Sequence, residues 1–274
     1  MKNVFLFCLL MLMSIMVSSK EYSVVDILGD SISHGVNPQV GDNSGWVQMM
    51  YGTYDAQSTI YQIWPSITAY NSAVSGSKSS DWASPSYSPM STLLSHRPDL
   101  VVVFIGGNDI LAYAADSEFS LSEKSTYRQN LGVIIDRLRS NTPQPDILLV
   151  NYYDLFDGYS SNLPSNVGQY RVLSQAAIDG NQIINDVASE KGCTLVDRVY
   201  SSFMHHCYGG SLGDTSHLSP DYVKTPLANF DIHPNTEGHK AICRIVFEYL
   251  RQMKLEGNTG IQNHISTSFD CLLP

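Results

Sequence analysis

The sequence predicts an α/β fold of the doubly wound, flavodoxin-like kind, with three layers and a mostly parallel sheet of five strands. Short apolar runs alternate with longer stretches of helical periodicity along the chain. The run "LVVVFI" at 100–105 is apolar without alternation, which is typical of a parallel strand covered by helices on both faces. No repeat, low-complexity tract or linker interrupts the pattern, so 20–274 is expected to form a single domain.

The strands predicted from these apolar runs lie, in chain order, at 23–28, 67–73, 100–105, 147–152 and 194–196. The helices predicted from periodicity lie at 45–54, 123–140, 169–191 and 236–253. The remaining long segments are expected to be connections at one rim of the sheet, at 110–126, 153–168 and 198–230. Because open parallel sheets bind ligands at the carboxyl ends of their strands, this rim is where a site is expected.

The N-terminus predicts a secretory signal at 1–19. Lys2 precedes an apolar run at 4–17, and the small residues Ser18 and Ser19 follow. The alternative is an uncleaved membrane anchor, but the run is too short to span a bilayer comfortably. We therefore expect cleavage near Ser19, a secreted or periplasmic location, and no stable membrane insertion of the mature chain.

Net charge and cysteine content bear on the possible binding partners and on disulfide bonds. The formal net charge of −10 argues against nucleic acid as a partner. Beyond the signal, the cysteines are Cys193, Cys207, Cys243 and Cys271. In an oxidising compartment one or two disulfides are expected among them, although four cysteines allow three pairings and the sequence does not choose.

Four polar motifs follow the predicted strands. Gly-Asp-Ser at 29–31 follows the first strand, "VSGS" at 74–77 the second, and "GGND" at 106–109 the third. The fourth motif, "DIHP" at 231–234, comes after the fifth strand and leads into the last helix. All four motifs are expected at the same rim of the sheet. Chance could place one polar motif there, but it explains all four poorly.

These residues suit nucleophilic catalysis. A serine hydroxyl is a weak nucleophile until a base takes its proton, so Ser31 needs an imidazole within reach. His233 suits this role because it precedes Asn235, a good N-cap, and the positive end of a helix disfavours a resting imidazolium. The Gly76 amide and the Asn108 carboxamide could stabilise an oxyanion. Alternatively, Asn108 closes an Asx-turn and Gly76 supplies a positive φ.

The order of the motifs resembles the SGNH hydrolases, also called the GDSL esterase/lipase family. The matching features are Gly-Asp-Ser, the glycine of the second motif, Gly-x-Asn-Asp, and His-Pro-Asn-x-x-Gly-His, within about 23–250. The resemblance implies that Ser31 is the nucleophile and His233 the base. It also implies an oxyanion hole formed by the Ser31 amide, Gly76 and Asn108, and a reaction without metal or cofactor. Asp30 and Asp109 are expected to be structural.

One position departs from that family pattern. The usual orienting aspartate stands three residues before the histidine, where this chain has Phe230, and Asp231 stands two residues before it. Asp231 is the expected third catalytic residue, with a main-chain acceptor as the alternative.

Other motifs are expected not to form the site. The Gly-x-Ser-x-Gly pattern at 209–213 lacks the preceding strand that a nucleophile elbow needs. Asp214 and His217 have the Asp-x-x-His spacing, but no helix start follows them. A zinc site is not expected, because the candidate ligands match no zinc spacing; they are His205, His206, Cys207 and His217.

The sequence therefore predicts a secreted serine esterase or lipase that acts through an acyl-enzyme on small-molecule, lipid or carbohydrate esters. One alternative is a carbohydrate O-acetylesterase or deacetylase, and another is a non-catalytic lipid- or carbohydrate-binding domain of the same fold. Aromatic residues of the long connections could receive an acyl chain or a sugar, or could pack the loops themselves; they are Tyr113, Phe119, Tyr153, Phe156, Tyr159, Phe203, Tyr208 and Tyr222.

Overall fold

The computed structural model describes 19–56, 58–115, 118–223 and 231–256, with the side chains of 165–167 and 256 left out. The predicted signal apart from Ser19 lies outside these ranges. Phe230 and Cys271 also lie outside them.

Five parallel strands form the sheet, as predicted. They are β1 Val24–Gly29, β2 Thr68–Asn71, β3 Leu100–Phe104, β4 Asp146–Val150 and β5 Thr194–Val196. Their order is β2-β1-β3-β4-β5, and every neighbouring pair is parallel. The order reverses at β1, so a crevice opens between the carboxyl ends of β1 and β3. Every residue of β3 is buried, as its unbroken apolar run predicts.

Helices cover the sheet. They are α1 Ser31–His34, α2 Trp46–Met50, α3 Ser79–Ala83, α4 Ser88–Ser95, α5 Gly107–Ala115, α6 Leu121–Arg139, α7 Leu173–Lys191, α8 Arg198–Phe203 and α9 Thr236–Glu256. Short 3₁₀ turns lie at Ile60–Gln62, Ser160–Asn162, Ser165–Tyr170 and Tyr208–Leu212. In one group α6 packs against α3 and α7, and in a second group α9 packs against α2 and α8. These groups and the sheet form the three predicted layers.

The sequence identified the long helices and missed most of the short ones. The prediction that 110–126 is a connection was wrong, because α5 begins at Gly107, inside the third polar motif. Helices of this length are marginal by themselves and depend on tertiary contacts. For α5 such a contact is made by Asp109, whose carboxylate accepts hydrogen bonds from the amide and the hydroxyl of Ser79.

The expected disulfide is not formed among the described cysteines, since Cys193, Cys207 and Cys243 are free thiols. They lie on different parts of the fold: after α7, in the loop after α8, and on α9. Burial raises the pKa of Cys193 to about 11 and that of Cys243 to about 12, which disfavours their reactive thiolate forms. Of the helices in the described ranges, none combines the length and the apolar character needed to cross a membrane.

Candidate active site

Ser31 lies at the junction of β1 and α1. Asp30 is the N-cap of α1, and its Oδ1 accepts a hydrogen bond from the Ile32 amide at 3.0 Å. A side chain at Gly29 would place its Cβ 2.5 Å from Ser33 Oγ and 2.9 Å from Phe104 O. Glycine is therefore needed where β1 meets α1, and the end of β1 fixes the position of Ser31.

His233 joins Ser31 to Asp231. Its Nε2 lies 2.9 Å from Ser31 Oγ, and its Nδ1 lies 2.7 Å from Asp231 Oδ1. Because a carboxylate only accepts, Nδ1 carries the hydrogen in the neutral ring and Nε2 can accept the Ser31 hydroxyl proton. The same Asp231 Oδ1 accepts the His233 amide at 2.9 Å. Asp231 therefore reaches the imidazole across a tight turn despite its shortened spacing.

The rest of the fourth motif anchors α9. Asn235 caps the helix by accepting the Gly238 amide at 3.0 Å. A Cβ at Gly238 would lie 2.3 Å from Tyr222 O, so only glycine fits there. These contacts fix the start of α9 at Thr236, three residues after His233.

The second histidine of that motif, His239, is structural. Its Nδ1 accepts the Trp46 amide at the start of α2, and its Nε2 donates to Val36 O at 3.0 Å. Burial lowers the pKa of His239 to about 4, so the ring stays neutral. Sequence reasoning gave it no role, although its place in the motif was a signal.

Gly76 and Asn108 belong to segments that are tied to the end of β1. Ser77 Oγ donates to Gly29 O, and Asn108 Nδ2 donates to Ser77 O at 3.0 Å. Within the described ranges Ser77 O is the one acceptor bonded to Asn108 Nδ2, which has a second N–H to donate. Gly76 has a φ of 80°, and a Cβ built there would meet no atom within 4 Å. The positive φ favours glycine at this position.

Asp30 and Asp109 are buried carboxylates that support the site from behind. Asp30 Oδ2 accepts the Tyr152 hydroxyl at 2.7 Å, and burial raises the pKa of Asp30 to about 6. Asp109 binds Ser79 and so fixes α3 against α5. Burial also raises the pKa of Asp109. Tyr152 is a supporting residue that sequence reasoning missed.

A cavity of about 50 Å³ opens beside Ser31. Its lining is mostly apolar, and the side chains come from α1, α5, α7 and the segments after β4 and before α9; they are Ile32, Ile110, Leu111, Tyr152, Tyr153, Leu155, Leu173, Ala177 and Ile232. Asp30, Ser31, Gly107 and Asn108 complete it. Other aromatic residues of the connections pack on each other instead, as Tyr113 does on Phe119 and Phe203 on Tyr222.

The rejected motifs lie in loop structure. The Gly-x-Ser-x-Gly pattern at 209–213 overlaps a 3₁₀ turn and follows no strand. Asp214 binds His205 Nδ1 at 2.8 Å, and His217 binds Asp221 at 2.7 Å. Neither of these pairs includes Ser31 or His233.

One group of side chains within the described ranges has its ligand atoms close enough to hold a cation, namely Asp157, Asp214 and His217. Of the zinc ligands weighed from the sequence, this group includes His217 alone. The Asp157 carboxylate already accepts three backbone amides, those of His205, Cys207 and Gly209. The group is therefore explained as a loop anchor.

Solved structures share this fold. AlAXEase, an acetyl xylan esterase, is 18% identical with a TM-score of 0.53, over 82% of this chain and 98% of that one. Axe2, an acetylxylan esterase from Geobacillus stearothermophilus, is 16% identical with a TM-score of 0.53, over 86% and 96%. An extracellular lipase from Streptomyces rimosus is 18% identical with a TM-score of 0.54, over 82% and 99%. These likenesses concern the fold.

Sequence comparison identifies the family. No curated protein sequence matches this chain. The model of the GDSL-like Lipase/Acylhydrolase family matches 27–241, which is well over half of the chain and contains all four polar motifs. The chain therefore belongs to the GDSL-like lipase/acylhydrolase family and is a carboxylester hydrolase.

Proposed function

We propose that the protein is an exported serine esterase that hydrolyses short-chain carboxylic esters. Ser31 is the nucleophile, His233 the general base, and Asp231 the carboxylate that orients the base. The observation that carries the proposal is the hydrogen-bond chain from Ser31 Oγ through His233 to Asp231, at 2.9 and 2.7 Å, beside an apolar cavity.

The reaction follows from this geometry. Ser31 Oγ attacks the ester carbonyl carbon while Nε2 of His233 takes the hydroxyl proton. Asp231 stabilises the imidazolium, and the Ser31 amide, the Gly76 amide and Asn108 Nδ2 donate to the developing oxyanion. The imidazolium then protonates the leaving alcohol, and an acyl-enzyme remains. Water, activated by His233, attacks the acyl group and releases the carboxylic acid.

The size of the cavity supports a short acyl group. A cavity needs roughly 10–15 Å³ to hold one water, so about 50 Å³ holds about three to five water-sized groups. An acetyl group fits within this space, and we propose that a fatty-acyl chain would extend beyond it. The same observation favours the second candidate, a carbohydrate O-acetylesterase, and two of the solved structures with this fold are acetyl xylan esterases.

Chain-length profiling with p-nitrophenyl esters tests the acyl preference. We expect kcat/KM to be highest for the acetate and to fall by about tenfold or more at the octanoate. A maximum at the octanoate would contradict the short-acyl proposal. Release of acetate from acetylated xylan would favour the carbohydrate esterase, and hydrolysis of simple esters alone would favour the general one.

Labelling with a serine-directed phosphonate tests the site assignment. Peptide mapping should place the label on Ser31, and Ser31→Ala should abolish labelling while Ser211→Ala leaves it unchanged. A label on Ser211 would overturn the assignment. A folded protein with neither labelling nor ester hydrolysis would instead support a binding domain.

Export is part of the same proposal and rests on the N-terminal signal pattern. N-terminal sequencing of the protein recovered from outside the cytoplasm should show cleavage near Ser19. Recovery of the full chain from the cytoplasm would contradict it.

A further inference from the structure

The segment 231–233 carries the proposed carboxylate and base, and its main chain makes few backbone hydrogen bonds within the described ranges. It belongs to no helix or strand, and within the described ranges no backbone-to-backbone hydrogen bond involves Asp231 or Ile232. Asp231 Oδ1 instead folds back to the amide and the ring of His233. This turn places the imidazole, so whatever fixes its main chain also fixes Nε2.

Two tyrosine hydroxyls bind that main chain. Tyr208 Oη accepts the Asp231 amide at 3.1 Å and donates to Asp231 O at 3.0 Å. Tyr153 Oη donates to Ile232 O at 2.6 Å. Ile232 O and the His233 amide belong to one peptide unit, which is therefore held at both ends, by Tyr153 on one side and Asp231 on the other.

Both tyrosines are held in place by contacts of their own. Tyr208 is fully buried, and its own amide donates to Leu155 O at 2.9 Å. Asp157 Oδ2 accepts the amides on either side of it, those of Cys207 and Gly209. Tyr153 follows β4 and stacks on Phe203 with 4.5 Å between ring centroids.

The two hydroxyls stay protonated. Burial raises the pKa of Tyr153 well above its usual value and raises that of Tyr208 as well. Each can therefore act as a donor to its main-chain carbonyl over the whole working pH range.

We propose that Tyr153 and Tyr208 are positioning residues for the base, acting through the main chain of the Asp231–His233 segment. They supply the support that lets an aspartate two residues before the histidine serve the imidazole. A misplacement of about 1 Å at a reacting group can cost about 10²-fold in rate, so small main-chain shifts in this segment matter. The proposal rests on the proposed roles of Ser31 and His233.

Single tyrosine-to-phenylalanine variants test the proposal, because each removes one hydroxyl and keeps the ring. For Tyr208→Phe and Tyr153→Phe we expect kcat on p-nitrophenyl acetate to fall by about 10- to 100-fold with little change in KM. The matched control is Tyr249→Phe, which removes a tyrosine bond to Asp197 outside the 231–233 segment. It is expected to lower stability without changing kcat.

A spectroscopic readout separates positioning from general stability. The proton on His233 Nδ1, bound to a carboxylate, should give a downfield proton resonance, assigned by its absence from His233→Gln. We expect it to shift or disappear in both positioning variants and to remain in Tyr249→Phe. Wild-type kcat with an unchanged resonance in the two variants would overturn the proposal, and each variant tests it independently if the other fails to fold.

Failure of the proposed function gives a different result. If Ser31→Ala keeps full activity, the catalytic assignment is wrong. If Ser31→Ala is inactive while both tyrosine variants behave like wild type, only the positioning role is wrong.

Discussion

The nucleophile and the base of the proposed triad are held in different ways. Ser31 is placed by backbone geometry, at the end of a buried strand and in the first turn of a helix that Asp30 caps. His233 lies 202 residues away, on an irregular segment held by Tyr153 and Tyr208. The strand and helix that place Ser31 can be recognised from the local sequence, whereas the tyrosine contacts near His233 cannot.

This difference predicts how substitutions near Ser31 and substitutions near His233 affect turnover. Ser31 is supported by the hydrogen bonds of β1 and α1, so single side-chain substitutions around it, other than at Gly29, should seldom move it. Support for His233 is concentrated in a few hydroxyl and carboxylate contacts. Substitutions there should lower turnover while the fold persists.

The largest effect is expected for Ser31→Ala. Without the nucleophile, kcat on p-nitrophenyl acetate should fall by about 10⁵- to 10⁶-fold, as loss of a triad serine does elsewhere. Ser33→Ala is a matched control in the same helix, because its buried Oγ has no hydrogen-bond partner in the described structure. It should keep its activity, and comparable losses in both variants would show a structural cause.

The next largest effect is expected for Asp231→Asn. If the carboxylate fixes the tautomer of His233, kcat should fall by about 10⁴-fold. Turnover within about tenfold of wild type would point to main-chain orientation of the ring instead. Asp214→Asn is the control, since Asp214 binds His205 and should affect stability alone.

A smaller effect is expected for Asn108→Ala. Loss of one oxyanion donor should lower kcat by about 10²- to 10³-fold. Asn130→Ala is a suitable control because Asn130 Nδ2 binds Ser79 Oγ and lines no part of the cavity. Unchanged turnover in a folded Asn108→Ala protein would refute the donor role.

The smallest effect is expected in the pH dependence of the free energy of unfolding. Burial raises the pKa of Asp30 from 3.8 to about 6, so the native state binds its proton more tightly than the unfolded state does. This contribution to stability is fully present below about pH 4 and is lost as the pH rises through about 6. Asp30→Asn removes the titrating group and should flatten this part of the profile.

Urea unfolding at pH values from about 4 to 7 measures this contribution, which is at most about 3 kcal/mol for a shift of this size. An equally steep profile in Asp30→Asn would assign it to other groups. Asp157, whose pKa burial also raises to about 6, is the first to examine.

The strands and the main motifs could be predicted because their signals are local. A strand buried on both faces must be apolar throughout, and β3 is such a run. Ser31, Asn108 and His233 were selected because parallel strands deliver their ends to one rim, and the structure brings their segments together there.

The contacts that hold the base could not be predicted. In the sequence, Tyr153 and Tyr208 are recognisable only as aromatic residues of long connections. Their hydroxyl contacts to 231–232 span 79 and 23 residues, and no spacing rule encodes them. The disulfide expectation was wrong for Cys193, Cys207 and Cys243 because cysteine number says nothing about which elements come close.

Ile232 connects the cavity beside Ser31 with the segment that carries His233. Ile232 lines the cavity, and its carbonyl oxygen is the atom that Tyr153 binds next to His233. An acyl group that fills the cavity would therefore contact the segment that carries His233. Selectivity among esters should accordingly appear in kcat more than in KM, because a well-fitting acyl group stabilises the reacting geometry rather than the resting complex.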